Sequence, residues 1–128
     1  MKDNILADTS VWIEFFKARS ATGDALEKLI KEHRVWTCGI VLFELIKGVK
    51  SEAEKTSILE TLLSLEYIEM SPLLWKNAGE VAASLKKAGK NLPMSDIFIA
   101  ALAIEHNLQI FTLDKHFEQI PGVKIYKM

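Results

Sequence analysis

Four acidic residues stand in or beside apolar runs of the sequence, where a carboxylate is unusual. Glu44 lies inside the run 40–46, and the other three border such runs: Asp8, Asp96 and Asp114. A buried carboxylate without a partner is costly to desolvate, so proteins pair it, protonate it or bind a metal with it. Few basic residues lie in these runs. The four acids therefore predict a shared site for a divalent cation.

The type of ligand indicates the type of cation. Carboxylate-rich sites without cysteine or paired histidine favour hard cations such as Mg²⁺ and Mn²⁺ over Zn²⁺. Such an ion can bind a phosphate oxygen, activate a water molecule and stabilise a leaving oxygen. These residues therefore point to metal-dependent chemistry on a phosphate ester.

Three of the acids also have a structural explanation. Asp8 can cap the helix that follows it, a position that Asp often occupies. Asp96 can complement the helix dipole, with Ser95 as the cap. Asp114 can begin a turn. The interpretation in which all four acids are structural and form no site is less favoured.

Glu44 is harder to explain structurally, because apolar residues flank it on both sides. Its alternative is a polar helix face with Lys47 as the partner three residues on. The histidines are expected to be structural or surface residues, including His116, which stands two residues after Asp114.

Short apolar strands alternate with helices along the chain. Strands are predicted over 4–8, 35–38, 67–70, 109–113 and 123–126. Helices are predicted over 10–17, 24–32, 40–49, 52–65, 72–87 and 96–106, with a helical turn over 115–119. Apolar strands joined by helices favour an α/β fold with a parallel sheet covered on both faces. Ligands bind at the carboxyl ends of the strands in such sheets, and Asp8 and Asp114 fall there.

Composition indicates the number of domains, the cellular compartment and the assembly of the protein. With 128 residues, 26% charged and 49% hydrophobic, residues 1–128 are expected to form one globular domain. The lone Cys38 and the absence of a signal-peptide pattern favour the cytoplasm. The apolar run 97–104 is too short to cross a membrane. A mean hydropathy of +0.13 is high for a small monomer and predicts a surface buried against a partner, in a homodimer.

Four blocks of sequence, in this order, resemble the PIN domain. The first is Leu-Ala-Asp-Thr-Ser at 6–10, and the second is Phe-Glu-Leu-x-x-Gly at 43–48. The third is Asp-x-x-Ile-Ala-Ala-x-Ala at 96–103, and the last is Thr-x-Asp-x-x-Phe at 112–117. Together they span most of the chain. Within the PIN domains, the chain is similar to the VapC-type toxins of toxin–antitoxin pairs.

This resemblance implies a fold and an activity. The fold would be a three-layer α/β/α sandwich with a mostly parallel five-stranded sheet. The activity would be that of a Mg²⁺- or Mn²⁺-dependent endoribonuclease toxin that cleaves single-stranded regions of RNA. Such proteins are usually homodimers and are inhibited by a cognate antitoxin. One departure is that some members carry a further acid two residues after the last Asp, where this chain has His116.

Roles for the residues follow from this activity. The metal ligands would be Asp8, Asp96 and Asp114, and Glu44 would be a second ligand or would orient water. Neighbouring hydroxyls would hold the scissile phosphate or orient the carboxylates: Thr9, Ser10 and Thr112.

Other functions remain open from the residues alone. A catalytically silent PIN-like module could bind nucleic acid or protein, although it would not need Glu44. A phosphatase with an aspartate nucleophile would favour a second Asp two residues after Asp8, where Ser10 stands. Nothing in the residues fixes RNA over DNA, and that preference comes from the resemblance.

Overall fold

A parallel five-stranded sheet forms the centre of the molecule. The structure is a computed structural model that describes residues 3–17 and 19–128. The strand order is β3-β2-β1-β4-β5, and every pair of neighbours is parallel. The strands are β1 (Ile5–Ala7), β2 (Val35–Cys38), β3 (Glu66–Ile68), β4 (Gln109–Phe111) and β5 (Lys124–Ile125).

Helices connect these strands and cover the sheet. They are α1 (Thr9–Phe16), α2 (Ala21–Lys31), α3 (Gly39–Lys47), α4 (Glu52–Leu62), α5 (Pro72–Lys87) and α6 (Met94–Glu105), with a 3₁₀ helix at Lys115–Gln119. Helix α1 packs against α2 and α3, and α5 packs against α6. The predicted three-layer α/β/α sandwich with a parallel sheet is confirmed. None of the described helices has the length and apolar character needed to cross a membrane.

The central strand explains where the functional residues meet. Strand β1 lies between β2 and β4, and its three residues are fully buried. The register pairs Ala7 with Phe111, so Asp8 and Thr112 follow directly at the same edge of the sheet. Strand β1 is an unbroken apolar run because helices cover both faces of the sheet at its centre.

Helix α6 is apolar on nearly all sides because it packs between other elements. Residues 99–103 are all buried, and α6 contacts α5, α3, β4 and the 3₁₀ helix. An all-round apolar helix is stable only when it is buried. Its first turn carries Asp96. Burial of the rest of the helix therefore fixes where that carboxylate lies.

Several helix ends differ from those predicted, and capping explains the differences. Helix α2 begins at Ala21 rather than at residue 24, because the Ser20 hydroxyl accepts a hydrogen bond from the Gly23 amide. Helix α6 begins at Met94, so Ser95 lies inside the helix and does not cap it. Helix α4 ends three residues before the predicted end at residue 65.

Candidate active site

Asp8 ends the central strand and caps the first helix. Its Oδ1 accepts hydrogen bonds from the Ser10 hydroxyl at 2.5 Å and the Val11 amide at 3.3 Å. Its Oδ2 accepts a hydrogen bond from the Thr112 hydroxyl at 2.5 Å. The capping explanation of Asp8 is thus correct, but it accounts for only one of the two carboxylate oxygens.

The pKa of Asp8 shows that these hydrogen bonds do not fully offset burial. Removal from water raises the pKa, since Asp8 is only 5% exposed. Hydrogen bonds from Ser10, Thr112 and the Val11 amide lower it, and the net shift is upward from the ordinary value. A nearby cation would favour the charged form. Within residues 3–17 and 19–128, Asp8 is therefore a buried carboxylate without a basic partner.

Thr112 connects Asp8 to the loop after β4. Its hydroxyl donates to Asp8 and accepts a hydrogen bond from the Asp114 amide at 2.9 Å. The Ser10 hydroxyl, which also donates to Asp8, accepts from the Leu113 amide at 3.1 Å. Two hydroxyls thus hold the start of α1 against this loop, and both orient the same carboxylate.

Asp96 and Asp114 meet at the imidazole of His116. Its Nδ1 lies 2.9 Å from Asp96 Oδ2 and 3.1 Å from Asp114 Oδ1. One possible ligand atom from each of the three residues lies within 4.8 Å of the others. Asp114 also caps the 3₁₀ helix by accepting from the His116 amide, which confirms the expected turn. Two predicted ligands are therefore adjacent, and a third donor lies between them.

The pKa of Asp96 links this cluster to Asp8. Burial raises it most, and the hydrogen bond and charge of His116 lower it. The negative charges of Asp114 and Asp8 raise it further, and the net shift is upward. The charges of Asp8 and Asp114 thus both disfavour the ionised form of Asp96 at this edge of the sheet. A divalent cation would remove this repulsion, and carboxylate oxygens with one imidazole nitrogen form a donor set that suits such an ion.

Glu44 approaches the same edge from α3. Its Oε1 accepts a hydrogen bond from the Thr9 hydroxyl at 2.7 Å. Thr9 directly follows Asp8, so this bond holds Glu44 against the turn that carries Asp8. Lys47 is not its partner among residues 3–17 and 19–128, because the Lys47 ammonium lies over the Phe43 ring, 5.9 Å from its centre. Convergence of all four carboxylates on one ion stays a prediction.

His116 is the site residue that the sequence did not predict. A histidine two residues after an acid has no distinctive spacing, and it was expected to be structural. The tight 3₁₀ turn brings its ring back toward Asp114 and across to Asp96. The available signal was its position, since some PIN domains carry an acid there.

Comparison with known proteins assigns this architecture. The model of the PIN-domain family matches residues 5–123. The chain belongs to the PIN-domain family. Ribonuclease VapC1 of Methanocaldococcus jannaschii is 32% identical to this PIN domain over 130 residues, which cover 98% of the chain and 88% of that protein.

Solved structures share the fold over the whole PIN domain. The crystal structure of VapBC2 from Rickettsia felis, bound to a promoter DNA fragment, matches with a TM-score of 0.80 and 26% identity over 97% of this chain and 98% of that one. VapBC-5 of Mycobacterium tuberculosis, a member of the VapBC family of toxin–antitoxin systems, matches with a TM-score of 0.67 and 25% identity over 98% of each chain.

Proposed function

We propose that this PIN domain is a metal-dependent endoribonuclease of the VapC type, the toxin of a toxin–antitoxin pair. The relatives that it resembles are named ribonucleases or belong to toxin–antitoxin complexes. The observation that carries the proposal is the meeting of Asp96 and Asp114 beside the end of β1, where Asp8 lies. A carboxylate whose pKa is raised by burial and by neighbouring acids is typical of a functional site.

The metal ligands in this proposal are Asp8, Asp96 and Asp114, and the ion is Mg²⁺ or Mn²⁺. When bound, such an ion stabilises charge on a phosphate group and lowers the pKa of a coordinated water molecule. The fold of the chain positions these carboxylates. Asp96 is held by α6, and Asp114 is held by the turn it caps.

The hydroxyl groups act mainly on the carboxylates. The Ser10 and Thr112 hydroxyls donate hydrogen bonds to Asp8, so they orient this ligand rather than a phosphate. Thr9 orients Glu44 in the same way through Oε1. Within the described part of the chain, Glu44 Oε2 accepts no hydrogen bond. We assign Glu44 the role of receiving a proton from the attacking water or orienting it.

The proposal includes the partners of the protein. The substrate is a single-stranded region of RNA, residues 1–128 act as one cytoplasmic nuclease domain, and the toxin is a homodimer inhibited by a cognate antitoxin. Large apolar side chains on the surface support a protein interface. The most exposed on α3, α5 and α6 are Phe43, Leu73, Trp75 and Met94, between 51% and 67% exposed.

An RNA cleavage assay tests this function. The purified protein is incubated with single-stranded RNA and with DNA of the same sequence, in Mg²⁺ or Mn²⁺, with EDTA as the control. We expect cleavage of the RNA only, and none in EDTA. Binding of RNA without cleavage under every metal condition would favour the silent binding module instead. Cleavage of DNA at an equal rate would contradict the assignment to RNA.

A further inference from the structure

His116 differs from the other groups of the site because its donor atom is a nitrogen. Its Nδ1 lies 2.9 Å from Asp96 Oδ2 and 3.1 Å from Asp114 Oδ1. Neighbouring ligand atoms in an octahedral site with bonds of about 2.1 Å are about 3.0 Å apart. The two observed separations therefore equal the spacing of adjacent ligands around one octahedral ion.

The exposure of the imidazole is compatible with coordination. A neutral imidazole carries one proton, so coordination by Nδ1 places that proton on Nε2. The His116 side chain is 42% exposed, so water can accept a hydrogen bond from Nε2.

The geometry points to His116 as a ligand of the catalytic cation, and as the residue that makes this site prefer Mn²⁺ over Mg²⁺. This inference rests on the metal site of the proposed function. Mg²⁺ binds oxygen and retains its waters, so it gains little from an imidazole. First-row transition ions bind nitrogen more tightly, with an affinity that rises from Mn²⁺ to Co²⁺ and Ni²⁺. An acid at the same position would favour Mg²⁺ instead.

Binding titrations on the metal-free full chain test the preference. Calorimetry with Mn²⁺ and with Mg²⁺ gives the ratio of the two affinities for the parent, His116→Asn and His116→Asp. We expect the ratio to favour Mn²⁺ in the parent and to fall about 10-fold or more in both variants. The matched control is His33→Asn, since His33 is exposed beyond the amino end of β2 and its φ of 57° suits asparagine. Equal ratios in parent and variants would overturn the inference.

Pulsed electron paramagnetic resonance of the Mn²⁺-loaded protein tests the bond itself. Direct coordination gives a coupling between Mn²⁺ and the imidazole nitrogen, which should be present in the parent and in His33→Asn and absent in His116→Asn. Mn²⁺ binding that requires Asp96 but shows no nitrogen coupling would overturn only the role of His116. Failure of any divalent ion to bind in a way that requires Asp96 would overturn the metal site as well.

Discussion

Asp8 and Asp96 lie at one edge of the sheet, but the fold treats the two carboxylates differently. Asp8 receives two hydroxyl hydrogen bonds and a backbone amide, and it caps a helix. In the described part of the chain, the Asp96 side chain has one hydrogen-bond partner, the partly exposed imidazole of His116, and it faces the charge of Asp114. Asp8 therefore stabilises the fold through its hydrogen bonds. The contribution of Asp96 to stability depends instead on whether a cation offsets its charge. Equal importance for catalysis does not require equal importance for stability.

Catalysis should treat the two acids alike. We expect Asp8→Asn and Asp96→Asn each to lower RNA cleavage by more than about 100-fold. Both are metal ligands in the proposed site, and loss of a ligand costs at least as much as loss of an outer contact. Cleavage rates at saturating Mn²⁺ measure this. Asp24→Asn, an exposed acid in the first turn of α2, is the matched control and should cleave normally. An active Asp96→Asn protein would remove Asp96 from the site.

Loss of Asp8 and loss of Asp96 should differ in their effect on the stability of the fold. Asp8→Ala removes a helix cap and leaves the hydroxyls of Ser10 and Thr112 without their acceptor. We expect the free energy of unfolding to fall by about 2–3 kcal/mol in urea titrations of the metal-free protein. Asp96→Ala, measured beside it, should cost much less. Equal losses in the two variants would show that both carboxylates are structural.

Removal of the Asp96 charge should stabilise the metal-free protein. Burial and the neighbouring acids raise its pKa in the folded state, so protonation favours folding. This contribution is complete below the ordinary pKa of 3.8 and is lost as the pH rises through the folded value. At pH 7, the metal-free Asp96→Asn protein should therefore be more stable than the parent. Replacements that relieve a functional site typically gain up to about 1–2 kcal/mol.

This advantage should shrink as the pH falls through the raised pKa of Asp96, where the parent carboxyl takes up its own proton. Thermal melts across this range, with and without Mn²⁺, measure both effects. Mn²⁺ should stabilise the parent and not Asp96→Asn. A destabilised Asp96→Asn protein at pH 7 would mean that the carboxylate repulsion is negligible.

The smallest expected effect concerns the hydroxyls. Thr112→Val removes a donor to the buried Asp8 and an acceptor for the Asp114 amide, whereas Thr9→Val removes only the donor to Glu44. We expect the first to cost about 1–2 kcal/mol of unfolding free energy and the second at most about 1 kcal/mol. Urea titrations of the two valine variants compare them. A reversed order would contradict the central place of Asp8.

The sequence predicted the parallel sheet and the acids at its edge because both depend on local patterns. An unbroken apolar strand followed by an acid is visible without knowledge of the fold, and Asp8 illustrates this. The start of α2 was missed because its cap, Ser20, precedes the first apolar residues of the helix. Likewise, α6 begins before Asp96, since Pro93 ends the preceding loop and sets the first turn.

The partners of each acid could not be read from the sequence. Thr112 is 104 residues from Asp8, and only the pairing of β1 with β4 brings them together. The position of His116 depends on a tight turn whose geometry has no clear apolar period. For Glu44, the sequence showed an unusual acid in the middle of an apolar helix. It did not show that Thr9 is the hydroxyl that donates to this acid.

Because the Thr112 hydroxyl bonds to Asp8, the arrangement of the site depends on the register between β1 and β4. A one-residue slip of β4 would turn Thr112 away and bring a neighbouring side chain toward Asp8, since side chains alternate along a strand. The amides of Leu113 and Asp114 bond to the same hydroxyl network. Opening of the central strands should therefore expose the Asp114 amide, which donates to Thr112, to hydrogen exchange. The site can therefore form only after β1 and β4 have paired in the correct register.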